Sequence, residues 1–365
     1  MKHFKSIVLL VVLFPIAIEV FLNGCGGGKE DVIKIGAILP LTGSASEFGI
    51  GNKNGIDIAL EKINGAGGIN ERNVQIIYED SKGEPKIGIN AFNKIIGTGK
   101  INSLFLCMSS VSMAIKPLAE RNALLTFCVA AAPDLTKDAR NIFRLLPTTT
   151  LQAKKIAEFI SEKRIQEMKI SLFYIQDDFG NSFKNSFSIV ANSKGLSVIS
   201  ENEFTKDGTS FRNIVVKALN QKPNIVVIGG YGSSLGILIK QLREAGYKGP
   251  IYGTPDMGYP KVLEVVKENL GEAYIIDFDI ENSRKEMLDF VKNYKNKFNS
   301  EPSMDAIIGY DGINLLLEAE KLLESKKLKS LREALLLIKE FNGLVGKIEI
   351  TENGDIIFPL KFKKL

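Results

Sequence analysis

The chain has 365 residues, of which 45% are hydrophobic and 24% charged, a composition that excludes a disordered or fibrous protein and supplies apolar surface for two domain-sized cores. Its formal charge is only +5, and lysines alternate with acids along most helical stretches, so nothing points to nucleic acid. The single histidine is His3; cleavage of an N-terminal segment leaves none, which removes Ser-His-Asp and Cys-His nucleophilic sites, histidine general acids and the commonest metal ligand.

At the N-terminus, Lys2 and Lys5 precede the short apolar run Ile7 to Phe14, and Leu22-Asn23-Gly24-Cys25 places a small residue before a cysteine. This resembles a lipoprotein signal peptide, although Glu19 and Asn23 depart from the usual pattern. It implies removal of residues 1–24 and lipid attachment at Cys25. Residues 25–31, beginning Cys25-Gly26-Gly27-Gly28, then read as a flexible tether. The alternative is an uncleaved anchor, which the shortness of the run and Pro15 disfavour. Either way the body is expected outside the cytoplasm, at the cell membrane or the outer membrane facing the periplasm.

The body opens on Ile33, Ile35 and Gly36 to Leu39, a near-continuous apolar run of the kind a parallel strand needs when both faces are covered. After the loop Pro40-Leu41-Thr42-Gly43-Ser44, the residues Ile56, Ala59, Leu60 and Ile63 fall at i, i+3, i+4 and i+7. They form one apolar stripe of a helix. Gly65, Gly67 and Gly68 stop that helix and return the chain to a second strand at Val74 to Tyr78, completing a βαβ unit. Helical stripes follow at Lys86–Ile96, Met113–Ala119, Leu151–Ile160, Phe183–Asn192, Phe211–Leu219 and Leu235–Ala245. Strands alternate with them near Leu104–Leu106, Leu124–Phe127, Ile170–Tyr174, Val198–Phe204, Ile225–Ile228 and Ile251–Tyr252. The pattern predicts an α/β fold of parallel sheets flanked by helices, with too many strands for one open sheet.

Two lobes are therefore expected. Predicted crossings lie at Phe143–Pro147, at Tyr274–Phe278 before long helices at Lys285–Phe298 and Ala306–Leu323, and at Gly343–Gly346; three crossings make a three-segment hinge. Residues 32–146 plus 279–344 form the first lobe in this reading, and 147–278 plus 345–365 the second. Lys347–Ile350 and Ile356–Phe362 alternate like a hairpin around Asn353-Gly354.

Two catalytic patterns fail on inspection. Gly232-Ser233-Ser234-Leu235-Gly236 matches G-x-S-x-G after a strand, but with no histidine the serine has no base and the segment reads as a strand-to-helix turn. Gly49, Gly51 and Gly55 lack the spacing of a dinucleotide-binding loop. Neither an enzyme nor a cofactor is expected. Cys107 and Cys128 end neighbouring predicted strands, and the sequence leaves open a disulfide or two buried thiols.

The loop Leu41-Thr42-Gly43, the helix with Asn64-Gly65 and Gly67-Gly68-Ile69 after it, Ser109-Ser110, Pro133-Asp134-Leu135-Thr136 and Phe143-Arg144 occur in the order seen in type I periplasmic binding proteins. The chain is most similar to the leucine/isoleucine/valine-binding branch that feeds ABC importers. The resemblance runs from about Ile33 to the C-terminus. It implies a monomeric, lipid-anchored solute-binding component that captures an amino acid or small amphipathic carboxylate and delivers it to a membrane permease. A binding module that signals to a membrane receptor uses the same fold and is the alternative.

Open parallel sheets collect ligands at the carboxyl ends of their strands. Those places hold Phe48, Met108, Ser109, Ser110, Ala130, Ala131, Phe179, Tyr231 and Asp256, the predicted site. Ser109 and Ser110 precede a helix whose first-turn N–H groups could hold a carboxylate, or they are plain caps. Asp256 lies where the family has an acidic residue facing the ligand ammonium, or it is a turn aspartate. Phe48 and Phe179 stand where amino-acid-binding relatives often have tyrosines, Met108 where they often have serine, and Ala131 where a threonine helps hold the carboxylate. Fewer polar handles imply a more apolar pocket, unless the three aromatics belong to the core.

Overall fold

The computed structural model describes residues 32–163 and 167–365. The predicted signal peptide, Cys25 and the tether lie outside them. Among the described residues no helix is long and apolar enough to cross a membrane.

The first half alternates as its periodicity requires: β1 (Val32–Leu39), α1 (Ser46–Gly65), β2 (Asn73–Asp80), α2 (Pro85–Gly97), β3 (Ser103–Cys107), α3 (Ser109–Arg121), β4 (Leu125–Val129) and β5 (Ile142–Arg144). Its strands form one parallel sheet in the order β2-β1-β3-β4-β5. β3 and β4 are buried at every residue, which is why they read as unbroken apolar runs.

A second alternation follows with α4 (Thr149–Ser161), β6 (Lys169–Ile175), α5 (Asp178–Ser193), β7 (Ser197–Phe204), α6 (Arg212–Leu219), β8 (Ile225–Gly229), α7 (Ser234–Glu244), β9 (Ile251–Gly253), α8 (Pro260–Val266) and β10 (Ala273–Phe278). Tyr274–Phe278, a predicted crossing, is itself part of the strand β10, parallel to β9. The remaining elements are α9 (Lys285–Phe298), α10 (Met304–Ser325), α11 (Leu331–Leu337), β11 (Glu340–Gly343), β12 (Gly346–Ile350), β13 (Ile356–Ile357) and β14 (Leu360–Lys364). β14 adds an antiparallel edge to the second sheet, whose order is β14-β10-β9-β8-β6-β7. β12 and β13 form an antiparallel hairpin, but Pro359 follows β13, and the hairpin joins β11 in a separate three-stranded sheet.

Both large sheets reverse their strand order once, between β1 and β3 in the first and between β6 and β8 in the second. Crevices open at the carboxyl ends beside such reversals, because the flanking helices start on opposite faces. Two features hold the surroundings in place. The helices α1 and α10 cross so closely that a Cβ on Gly55 would sit 1.9 Å from the Ala306 carbonyl oxygen. Arg144, 1% exposed, donates to Asp355 Oδ1 (3.0 and 2.7 Å), to Thr136 Oγ1 (2.6 Å) and to the carbonyls of Ala132 and Pro133, pinning the segment after β4. A buried guanidinium is tolerable only because each side of it meets an acceptor.

Cys107 and Cys128 are free and buried. The register explains it: Cys128 stands opposite Leu106 and Cys107 opposite Val129, so the thiols point to opposite faces of the sheet.

Candidate functional site

The carboxyl ends of β1, β3 and β4 and those of β6, β8 and β9 converge on a cavity of about 90 Å³. Eight of the nine predicted residues line it: Phe48, Met108, Ser109, Ala130, Ala131, Phe179, Tyr231 and Asp256. Ser110 does not. One residue along a helix is a rotation of about 100°, which turns it away from the face that Ser109 presents.

One end of the cavity is built for an anion. Met108 holds φ at +82°, a left-handed conformation uncommon outside glycine, and its N–H is occupied by the Val129 carbonyl (3.1 Å). That bend starts α3 abruptly, with no side-chain cap, leaving the first-turn N–H groups beginning at Ser109 without intrahelical partners. The Ser109 hydroxyl accepts from the Ala131 N–H at 3.2 Å, which frees its proton for another acceptor.

Aromatic rings make the wall. Phe48 meets Tyr231 and Tyr259 edge to face, with centroids 5.9 and 5.5 Å apart, and Phe179 meets Tyr231 at 5.7 Å. The Tyr231 hydroxyl donates to Asp177 Oδ2, so its proton is already committed within the protein. Burial and the neighbouring Asp177 charge push the Tyr231 hydroxyl pKa up.

The lining also includes two acidic residues, Asp256 and Asp305. Asp256 follows β9, and burial, then the adjacent Asp305, hold its pKa well above the usual carboxylate range. Asp305, 5% exposed, sits in the first turn of α10, accepts from the Tyr259 hydroxyl (2.5 Å) and from Asn52 Nδ2 (3.4 Å), and is pushed up to about 7, chiefly by burial. A helix N-terminus favours the anion; desolvation here outweighs it.

Asp305, Tyr259 and Gln152 also line the cavity and are not among the predicted residues. A signal for two of them exists in the sequence. Asp305 shares one helical stripe with Ile308, Gly309 and Gly312, and Gln152 shares another with Ile156 and Ile160. Each is a polar residue on a face that is otherwise apolar. Tyr259 follows a short 3₁₀ turn, Pro255–Gly258, that leaves no periodicity to read.

Among the described residues, no cluster of metal-ligating side chains occurs. Ser234 of the G-x-S-x-G match begins α7 with its hydroxyl buried and unpartnered, a turn residue with no base beside it.

A profile of the periplasmic binding protein family matches residues 32–362. The chain belongs to the periplasmic binding protein family. This is a family of substrate-binding proteins, not enzymes. Among relatives, a Leu/Ile/Val-binding protein homolog of Brucella melitensis is 31% identical over 60% of each chain. A leucine-, isoleucine-, valine-, threonine- and alanine-binding protein of Pseudomonas aeruginosa is 23% identical over 89% of this periplasmic binding protein and 87% of its own length. The matched segment thus spans only 60% of the Brucella relative's length. A solved leucine-binding protein of Thermotoga maritima superposes with a TM-score of 0.83 at 25% identity, covering 91% of this chain and 95% of its own. A solute-binding protein of an R. palustris ABC transporter, solved in complex with benzoate, shares the fold with a TM-score of 0.83 at 18% identity, covering 92% of this chain and 93% of its own.

Proposed function

We propose that this periplasmic binding protein is the solute-binding component of an ABC importer, lipid-anchored through Cys25 outside the cytoplasm, and that it captures an amino acid or small amphipathic carboxylate. The single observation that carries the reading is the polarity of the cavity. Its lining brings together the uncapped start of α3 with the Ser109 hydroxyl, the residue Asp256 and the aromatic residues Phe48, Phe179 and Tyr231. A carboxylate at the first position and an apolar body against Phe48, Phe179 and Tyr231 use every part of it.

The capturing motion is closure of residues 32–146 plus 279–344 onto 147–278 plus 345–365 about the three crossings, with an ABC permease as the partner that reads the closed form. Two contacts between these parts support it: the Tyr259 hydroxyl on Asp305, and Lys261 Nζ at 3.4 Å from the Glu47 carboxylate. Thermal denaturation against the common amino acids and aromatic and short aliphatic acids tests the reading, because a solute bound only by the folded state raises Tm. We expect a rise with at least one of them. A flat profile across all of these classes sinks the proposal.

A further inference from the structure

The first turn of α1 carries residues 32–146 onto residues 147–278. Phe48 lies edge to face against Tyr231 and Tyr259, and the Glu47 carboxylate lies 3.4 Å from Lys261 Nζ on α8. Yet this turn has little of its own to hold it. Ala45 offers no side-chain cap, and the loop that leads into the helix leaves Thr42, Gly43 and Ser44 exposed, with φ at +87° for Gly43.

What holds the loop is one carboxylate. Asp80 ends β2 opposite Leu39, the last residue of β1. Its Oδ1 accepts from the N–H groups of Leu41 (2.8 Å), Thr42 (3.3 Å) and Lys82 (2.8 Å), and its Oδ2 accepts from the Thr42 hydroxyl (2.5 Å). From the loop to the cavity the path is short and stiff. The first turn of α1 rests so closely on Pro40 that a Cβ on Gly49 would stand 2.1 Å from the Pro40 carbonyl oxygen. A displaced loop therefore carries Gly49 with it, and with Gly49 its neighbour Phe48, which lines the cavity.

We propose that Asp80 is a positioning residue for solute capture: by fixing the connection from β1 to α1 it holds Phe48 and Glu47 where the second lobe closes on them. The inference rests on the solute-binding reading above and adds to it a residue outside the cavity lining. An ionised carboxylate has acceptor sites for all of these donors and no proton to give. Partial burial raises the Asp80 pKa, but the hydrogen bonds from Thr42, Lys82 and Leu41 outweigh it and hold the group below the usual carboxylate range, so it is an ionised acceptor at neutral pH. A loop fixed beforehand has no ordering left to undergo when solute arrives, so the clamp shows in affinity and not only in stability.

The same sheet supplies a control. Glu120, in the last turn of α3, holds the segment before β5 in the same manner, accepting from the N–H groups of Arg140 (2.9 Å) and Asn141 (2.7 Å) and from Asn141 Nδ2 (3.2 Å). That segment enters the sheet at its amino end, away from the cavity.

The test compares the wild type with Asp80→Ala, Asp80→Asn and Glu120→Ala by surface plasmon resonance and amide hydrogen exchange. The probes are L-leucine, L-phenylalanine and benzoate, with any other solute that raises Tm in the screen above. We expect Asp80→Ala to lower affinity about tenfold, chiefly through faster dissociation, and Asp80→Asn, which keeps the shape and one acceptor oxygen, to lower it less. Glu120→Ala should reduce Tm and leave affinity within about threefold. In ligand-free Asp80 variants, exchange should rise over residues 40–48 while β3 and β4 stay protected. An equal affinity loss in Glu120→Ala overturns the inference and leaves the solute-binding reading standing. So does unchanged affinity in Asp80→Ala or, should that variant not fold, in Asp80→Asn, and so does exchange that rises uniformly through the sheet. No rise in Tm with any screened solute overturns both.

Discussion

At the scale of single residues, the site divides into groups that meet the ligand and groups that hold those in place. Tyr231 shows the difference. The residue lines the cavity while its hydroxyl proton is given to Asp177, which also caps α5 by accepting from the Gly180 N–H at 2.9 Å. Tyr231→Phe should therefore cost about 1–3 kcal/mol of stability, because it strips a half-buried carboxyl of a partner, while ligand affinity changes less than about threefold. Denaturation and calorimetry on the same variant decide it; a large affinity loss with an unchanged Tm would place the hydroxyl on the ligand instead. The loop residues after β1, β3, β4, β6, β8 and β9 were legible in the sequence, since buried parallel strands announce where they end. Asp305 and Gln152 were not, because each begins a helix and looks there like an ordinary first-turn polar residue; only its position on an apolar stripe gives it away. Ser110 lies outside the cavity lining, since adjacency along a helix is not adjacency in space.

At the scale of elements, α1 and α10 matter most, for they carry Phe48 and Asn52 on one side and Asp305 on the other. Their close crossing depends on Gly55, whose missing side chain lets the Ala306 carbonyl approach. Gly55→Ala should force the helices apart at a cost of about 1–3 kcal/mol, read from the urea midpoint. Ligand affinity should fall with it, because displacing α10 displaces Asp305. Unchanged stability would mean that the helices slide past the extra methyl at no cost. The alternation of strands and helices was plain in the sequence. The short helices α8 and α11 were not, because seven residues make only two turns and carry too little 3.6-residue periodicity to separate from a loop, and the three-residue β5 lay inside a segment read as a crossing.

At the scale of the whole molecule, several carboxyl groups are buried with too few donors. Asp305 and Glu320 are pushed up to about 7 and Asp311 to about 6, in each case mainly by burial. Asp311 nonetheless accepts from the N–H groups of Leu344 (2.7 Å) and Val345 (3.0 Å), tying α10 to the third crossing. A carboxyl whose folded pKa lies above its unfolded value of about 4 stabilises the fold fully at low pH. That stabilisation is lost as pH rises through the folded value. Ligand-free protein should therefore melt at a higher temperature at about pH 5 than at about pH 8, most of the change falling between about 5 and 7. A Tm that is flat or rises over that interval would show that these groups ionise in the fold without penalty.

The placement of the two thiols has a use of its own. Cys107 is among the residues that line the cavity, whereas Cys128, one strand over, points to the other face of the sheet. Burial raises the pKa of both thiols, so neither reacts readily while it is covered. Cys107 becomes accessible whenever the walls part, and Cys128 only when the sheet itself comes undone. Nature has thus left a paired clock in the molecule: the alkylation rate of one sulfur times the opening of the mouth, and that of the other times the loss of the fold.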